Sequence, residues 1–149
     1  MRSIRQKHRR LHRIAGRIYI IGGLIGALSG GVIGVLTPFG GLDGAGFNES
    51  VATLFFASFI AFTLIKAYLA VRQRDFSAHR EWMIRSWALM LAIATERTFL
   101  IILNTTTDVD LSILFGTTFW MAGFVNIGAA EFWINYTRRL SDGRMHWKP

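Results

Sequence analysis

Four stretches of the chain, at about residues 14–36, 51–71, 82–103 and 111–136, are long, apolar and almost free of charge. Each is long enough to cross a bilayer, since about 20 residues at 1.5 Å per residue span the hydrocarbon. Inside lipid every backbone N–H and C=O must find a partner within the protein, which leaves a helix as the solution for an isolated span. The 149 residues are therefore expected to form one all-α integral membrane domain. Its four helices should run up-down-up-down as an antiparallel bundle, because the connections are short.

A basic start followed by an apolar run also describes a signal peptide. The first run is longer than such a core, and no cleavage site is evident after it, so it is read as a retained helix ended by Thr37-Pro38. The chain carries 17 Lys and Arg, and all but Arg97 fall in three places: before and at the start of the first span, around the 72–85 turn with Lys66, and in the tail after Tyr136. The other two loops hold acids only. The positive-inside rule then puts both termini in the cytoplasm. The +8 net charge does not argue for nucleic acid, because its carriers flank hydrophobic spans. The absence of cysteine removes thiolate chemistry and Cys-ligated metal sites.

The turn and entry into the third span, Arg72-Gln73-Arg74-Asp75 followed by Ser77-Ala78-His79-Arg80-Glu81-Trp82-Met83-Ile84-Arg85, concentrate the informative side chains. A second His-Arg entry, His12-Arg13-Ile14-Ala15-Gly16-Arg17-Ile18-Tyr19, opens the first span. On a helix, Gly16, Tyr19, Gly23, Gly26, Gly30 and Gly34 all fall within about 40° of His12. Such a glycine face serves close helix packing or a flat ligand such as a porphyrin. Gly26 and Gly30 are expected at a tight contact or against that ligand. On the third span His79, Met83, Ser86, Met90, Ile93 and Arg97 share a face, which is assigned to the interior because an intramembrane arginine avoids lipid. Glu96 points about 100° away and is expected not to pair with Arg97. Lys66 and Glu131 lie at similar depth and could form an ion pair, although snorkelling would equally explain Lys66. Asn126 and Asn135 add polarity to the fourth span. His8 and His146 complete the histidines, all on the cytoplasmic side. No phosphate loop, hydrolase triad or carboxylate metal cluster is evident.

These segments resemble a known family. The His12–Tyr19 entry, the Arg72…Asp75…His79-Arg80-Glu81-Trp82-Met83-Ile84-Arg85-Ser86 stretch, Thr95-Glu96-Arg97 and Trp120…Asn126…Glu131-Phe132-Trp133 are similar to the pattern of the bacterial predicted membrane proteins called domain of unknown function 2306. The resemblance spans nearly the whole chain. It implies a four-helix membrane fold in the bacterial cytoplasmic membrane and brings no reaction with it. A weaker likeness of layout links the chain to membrane cytochromes b, where histidines on facing helices hold haem. The outer half here has no histidine, so one bis-histidine haem is the most that could form.

Three functions compete. One b-type haem could sit between His12 and His79 for electron transfer, with Arg13, Arg17, Arg80 and Arg85 near its propionates and Gly23 and Gly26 leaving room for the ring. Arg97 stands about 27 Å above His79 and is too far to join them. Alternatively both histidines anchor the interface, and the protein is a cofactor-free accessory subunit of a larger membrane complex or a homo-oligomer. A small transporter using Arg97 and Glu131 ranks below both. None of these readings requires an enzyme. Reporter fusions at Gly41 and Asp108 should read periplasmic and one at Ser141 cytoplasmic; a cytoplasmic signal at Gly41 would overturn the orientation.

Overall fold

A computed structural model describes residues 9–39, 41 and 45–145, with side chains at 10–39, 41 and 46–140. His8, His146, Asp43 and the Arg144 and Lys148 side chains, singled out above, lie outside those described. The described residues form four helices: α1 (Arg9–Leu36), α2 (Ala45–Arg72), α3 (Phe76–Thr106) and α4 (Leu111–Met145). All four are long and apolar enough to cross a membrane. They extend beyond the uncharged runs at most ends, because a helix continues through the interface where Lys, Arg and Trp still tolerate it.

The turns are written in local chemistry. α1 ends where the Thr37 hydroxyl and N–H both donate to Ile33 O, ahead of Pro38. The α2–α3 turn closes in a Schellman pattern. Asp75 N donates to Ala70 O at 2.9 Å and Arg74 N to Val71 O at 3.2 Å. Arg74 sits at φ 62, a left-handed position usually given to glycine. Asp75 then caps α3 by accepting from Ala78 N at 2.9 Å.

Helix α2 is the central stave, since its backbone packs against α1, α3 and α4, and α3 also packs on α4. Among the described helices the backbone of α1 approaches α2 alone. Its other links are side chains that reach α3. Large apolar residues such as Ile14, Ile18, Ile21, Ile25 and Leu28 of α1 are exposed and face the place lipid would fill. Inside, Leu64, Thr63, Leu89, Ile134 and Thr118 are fully buried.

The glycines divide into open and tightly packed ones. A Cβ on Gly26 or Gly30 would meet nothing within 4 Å, so neither lies at a tight contact. The close approaches are at Gly34, where a Cβ would stand 2.5 Å from Thr53 Cγ2, at Gly23 against Met90 and Leu64, and at Gly123 against the Phe56 ring. The reason is the position of α1, which leans on α2 and leaves the Gly26–Gly30 edge over a gap. Gly123→Ala drives a methyl into a rigid ring and should cost about 1–3 kcal/mol. Gly26→Ala should leave the melting temperature in detergent unchanged or raise it, because a mid-helix glycine costs about 0.5–1 kcal/mol relative to alanine. Equal melting of the two variants would contradict this packing.

Candidate functional site

Polar side chains of α3 work in two directions. One set forms a seam with α4. At the end carrying the basic residues, Arg138 Nε donates to Glu81 Oε1 at 2.6 Å. One turn deeper, Arg85 Nε donates to Glu131 Oε1 at 2.5 Å and Nη2 to Oε2 at 3.1 Å. The Arg85 guanidinium also lies 4.6 Å from the Trp82 ring centroid. Towards the other end, Asn126 Nδ2 donates to Thr95 Oγ1 at 2.9 Å, and the Thr118 hydroxyl lies 3.3 Å from Glu96 Oε1. Arg97 stacks 4.9 Å from the Phe115 ring centroid of α4. Thr95, Glu96 and Arg97 thus all engage α4, and so do Glu81 and Arg85.

Several expectations change here. Arg97 is more than half exposed, whereas Glu96 is 1% exposed. The buried stripe of α3 runs through Ser86, Leu89, Ala92 and Glu96. It is rotated by roughly a quarter of a turn from the His79–Arg97 face, because α2 and α4 cover that side of α3. Arg97 Nε nonetheless lies 3.4 Å from Glu96 Oε2, so the neighbours do pair: two long side chains can converge although their Cβ atoms diverge. Glu131 belongs to Arg85, not to Lys66, which is exposed and lies 5.6 Å from the Phe62 ring centroid.

The second set faces α1 across a cleft. Tyr19 of α1 and Ser86 of α3 are hydrogen-bonded at 3.1 Å, 67 residues apart. Ser86 spends its proton on Met83 O at 2.9 Å, so Tyr19 O–H is the donor to Ser86 Oγ. Tyr19 also stacks on Trp87 with centroids 5.1 Å apart. Gly23 meets Met90 at the same offset. A constant offset means that α1 and α3 run parallel and in register. His12 and His79 share it. Both therefore lie one further heptad, about 10 Å, towards the basic end.

The two histidines differ in setting. His79 is half-buried, and its Nδ1 lies 2.8 Å from Ala67 O on α2. A carbonyl only accepts, so Nδ1 carries the proton and the Nε2 lone pair of the neutral ring is left for another partner. His12 is exposed on α1. Gly16, one turn above it, has nothing within 4 Å of a built Cβ. Arg13, Arg17 and Arg80 are exposed at this end, whereas Arg85 is held in the α4 seam.

Further along, the cleft widens into an apolar cavity of about 430 Å³, lined among others by Gly22, Gly26, Gly30, Phe56, Met90 and Ile93. The lining on α1 begins at Ile18, about 9 Å from the His12 level, and Gly26 is about 21 Å from it, so the open glycines do not stand beside the histidines. Gly23 is filled by Met90 and Leu64. Among the described residues no group of three or more His, Asp or Glu side chains is placed to hold a metal ion.

Four apolar helices, a polar seam and a lipid-flanked cleft define an all-α integral membrane protein. The chain belongs to the family described as predicted membrane protein, DUF2306, whose pattern matches residues 1–134. No curated protein and no solved structure matches it. The likeness to membrane cytochromes b thus rests on histidine placement alone.

Removing the seam's central ion pair tests its weight. Arg85→Ala should lower stability by about 1.5–3 kcal/mol in a detergent melt, the usual cost of losing charged hydrogen bonds. Pairing Arg85→Met with Glu131→Leu should cost less than the two single changes summed. Strict additivity would mean that the two groups do not interact.

Proposed function

We propose that the protein holds one b-type haem between His12 and His79 at the basic end of the bundle and carries electrons within the bacterial cytoplasmic membrane. The observation that carries this reading is the 67-residue offset of the Tyr19–Ser86 and Gly23–Met90 contacts, an offset that His12 and His79 share in the sequence. Continued for one heptad, this register supports two imidazoles at one level across a cleft that no described backbone contact closes.

The residues present suit such a group. Iron takes neutral imidazole nitrogen, and a ligating histidine usually donates its other N–H to a carbonyl, as His79 does to Ala67 O. That bond fixes the tautomer and aims the ring. His12, exposed on α1, is free of packing that would forbid turning towards the cleft. Arg13, Arg17 and Arg80 supply positive charge for propionates, and Arg85 is excluded by its bond to Glu131. Met83 and Met90 pack. Bound haem would supply one-electron chemistry at this level. The Tyr19–Trp87 stack stands on the cleft one heptad beyond this level.

A second reading is favoured by α1 itself, the least buried of the four helices, with Gly22, Gly26 and Gly30 open along one edge. Small residues at a four-residue spacing let another helix approach closely. On this reading the protein is a cofactor-free accessory subunit or homo-oligomer that docks through α1. The transporter reading fits least, since each described span is one continuous helix.

Colour separates the first two. Protein purified from haem-replete cells and reduced with dithionite should show sharp low-spin b-type bands. His12→Ala and His79→Ala should each abolish them while Arg85→Met retains them. A colourless preparation that elutes with a larger membrane assembly in mild detergent would favour the accessory role.

A further inference from the structure

Arg97 is a cation standing far from any other. Between Arg17 and Lys66, and again between Arg85 and Arg138, the sequence has no other Lys or Arg. Its Nε lies 3.4 Å from Glu96 Oε2, an ion-pair distance, but that oxygen accepts no hydrogen bond. A guanidinium has five N–H groups to donate. Among the described residues none of those of Arg97 is hydrogen-bonded. More than half of the side chain is exposed, and one turn away on either side Ile93 and Ile101 are exposed as well. Such a surface faces lipid, where a cation calls for an anion. Glu96 answers it on the buried side only.

Depth indicates what answers it on the other. The guanidinium lies 4.9 Å from the Phe115 ring centroid, and that ring is itself stacked on Phe39 at 5.5 Å. Phe115 is about 6 Å inside the start of α4 at Leu111. The head-group layer of a bilayer is about 5–8 Å thick on each side of the hydrocarbon. Asp108 and Asp110, in the connection that joins α3 to α4, are exposed and belong in water or among head groups, since a carboxylate in hydrocarbon is costly. Among the described residues neither is ion-paired. From the acidic end inwards the protein therefore presents carboxylates first and a guanidinium about one turn deeper.

A phospholipid with an ammonium head group carries the opposite charges in the same order. Its ammonium is outermost and its phosphate lies beneath. The phosphate suits the planar fork of an arginine, and the ammonium suits carboxylates. An anionic lipid would bring like charge against Asp108 and Asp110. A zwitterion adds no net charge to an end that is already acidic.

We propose that Arg97 and the Asp108–Asp110 connection form a binding site for a zwitterionic phospholipid in the leaflet at the acidic end, with the phosphate on Arg97 and the ammonium towards the aspartates. The opposite end, where the other Lys and Arg gather, suits anionic lipid instead. The site is independent of any haem there, and its test reads no colour.

Native mass spectrometry reads the site when the full-length protein is delipidated in detergent and offered phosphatidylethanolamine and phosphatidylglycerol together. Arg97→Met should lower the retained phosphatidylethanolamine about tenfold, as the loss of charged hydrogen bonds implies, and leave the phosphatidylglycerol unchanged. Arg97→Lys, which keeps the charge without the fork, should retain an intermediate amount. Asp108→Asn combined with Asp110→Asn should keep a lipid on Arg97 but abolish its preference for phosphatidylethanolamine. All variants should keep the helical content of the parent. The proposal is overturned by phosphatidylethanolamine that survives Arg97→Met, by loss of phosphatidylglycerol in its place, by an unchanged preference in the double aspartate variant, or by displacement of the lipid with inorganic phosphate, which would make Arg97 a site for free anions.

Discussion

Every polar side chain sent below the surface of a bilayer must be answered by another helix, and that requirement arranges this molecule. In lipid the helices gain little from burying apolar surface, because the solvent is itself apolar. Specificity comes from where polar groups meet and where small residues let backbones approach. The α3–α4 seam supplies the first through Glu81–Arg138, Arg85–Glu131, Thr95–Asn126 and Glu96–Thr118. Gly34, Gly116 and Gly123 supply the second. Slipping α4 by one residue would orphan all four polar pairs at once, so the seam sets the register.

Much of the architecture is legible from hydropathy and charge. The four spans follow from the length of the apolar runs, and the turn at 72–75 from its polar composition and capping Asp75. The polar stretch around His79 is also recognisable, because polar and aromatic residues at a membrane entry stand out. The orientation of α3 is less so. Assigning Arg97 to the interior follows from the cost of a charge in lipid, yet Arg97 lies on Phe115 with more than half of its side chain exposed. Glu96, one residue earlier, takes the interior position instead. A helical wheel weighs charge and ignores which neighbours cover a face, and here α2 and α4 cover the Leu89 side.

The glycines illustrate the same limit. A face of small residues marks a helix edge that could pack, but does not say against what. Gly23 and Gly34 are in contact with α2, Gly23 also with Met90 of α3, while Gly26 and Gly30 of the same face border a cavity. Pairing across helices carries information that single positions do not. The 67-residue offset becomes visible only when Tyr19–Ser86 and Gly23–Met90 are seen together, and it then extends to His12 and His79 without further assumption.

The one-sided attachment of α1 bears on how the protein is made. Of the four helices α1 is made before the others, but among the described helices its only backbone neighbour is α2, which follows. Helix α1 therefore waits as a lone span until the α1–α2 hairpin closes. The α3–α4 hairpin carries its own polar pairs and can close by itself. Assembly then reduces to the joining of two hairpins through α2. The last surfaces to meet are those of α1 and α3, so the cleft that carries both histidines is completed only at the end of biogenesis. Anything seated there would enter a nearly finished bundle from its side.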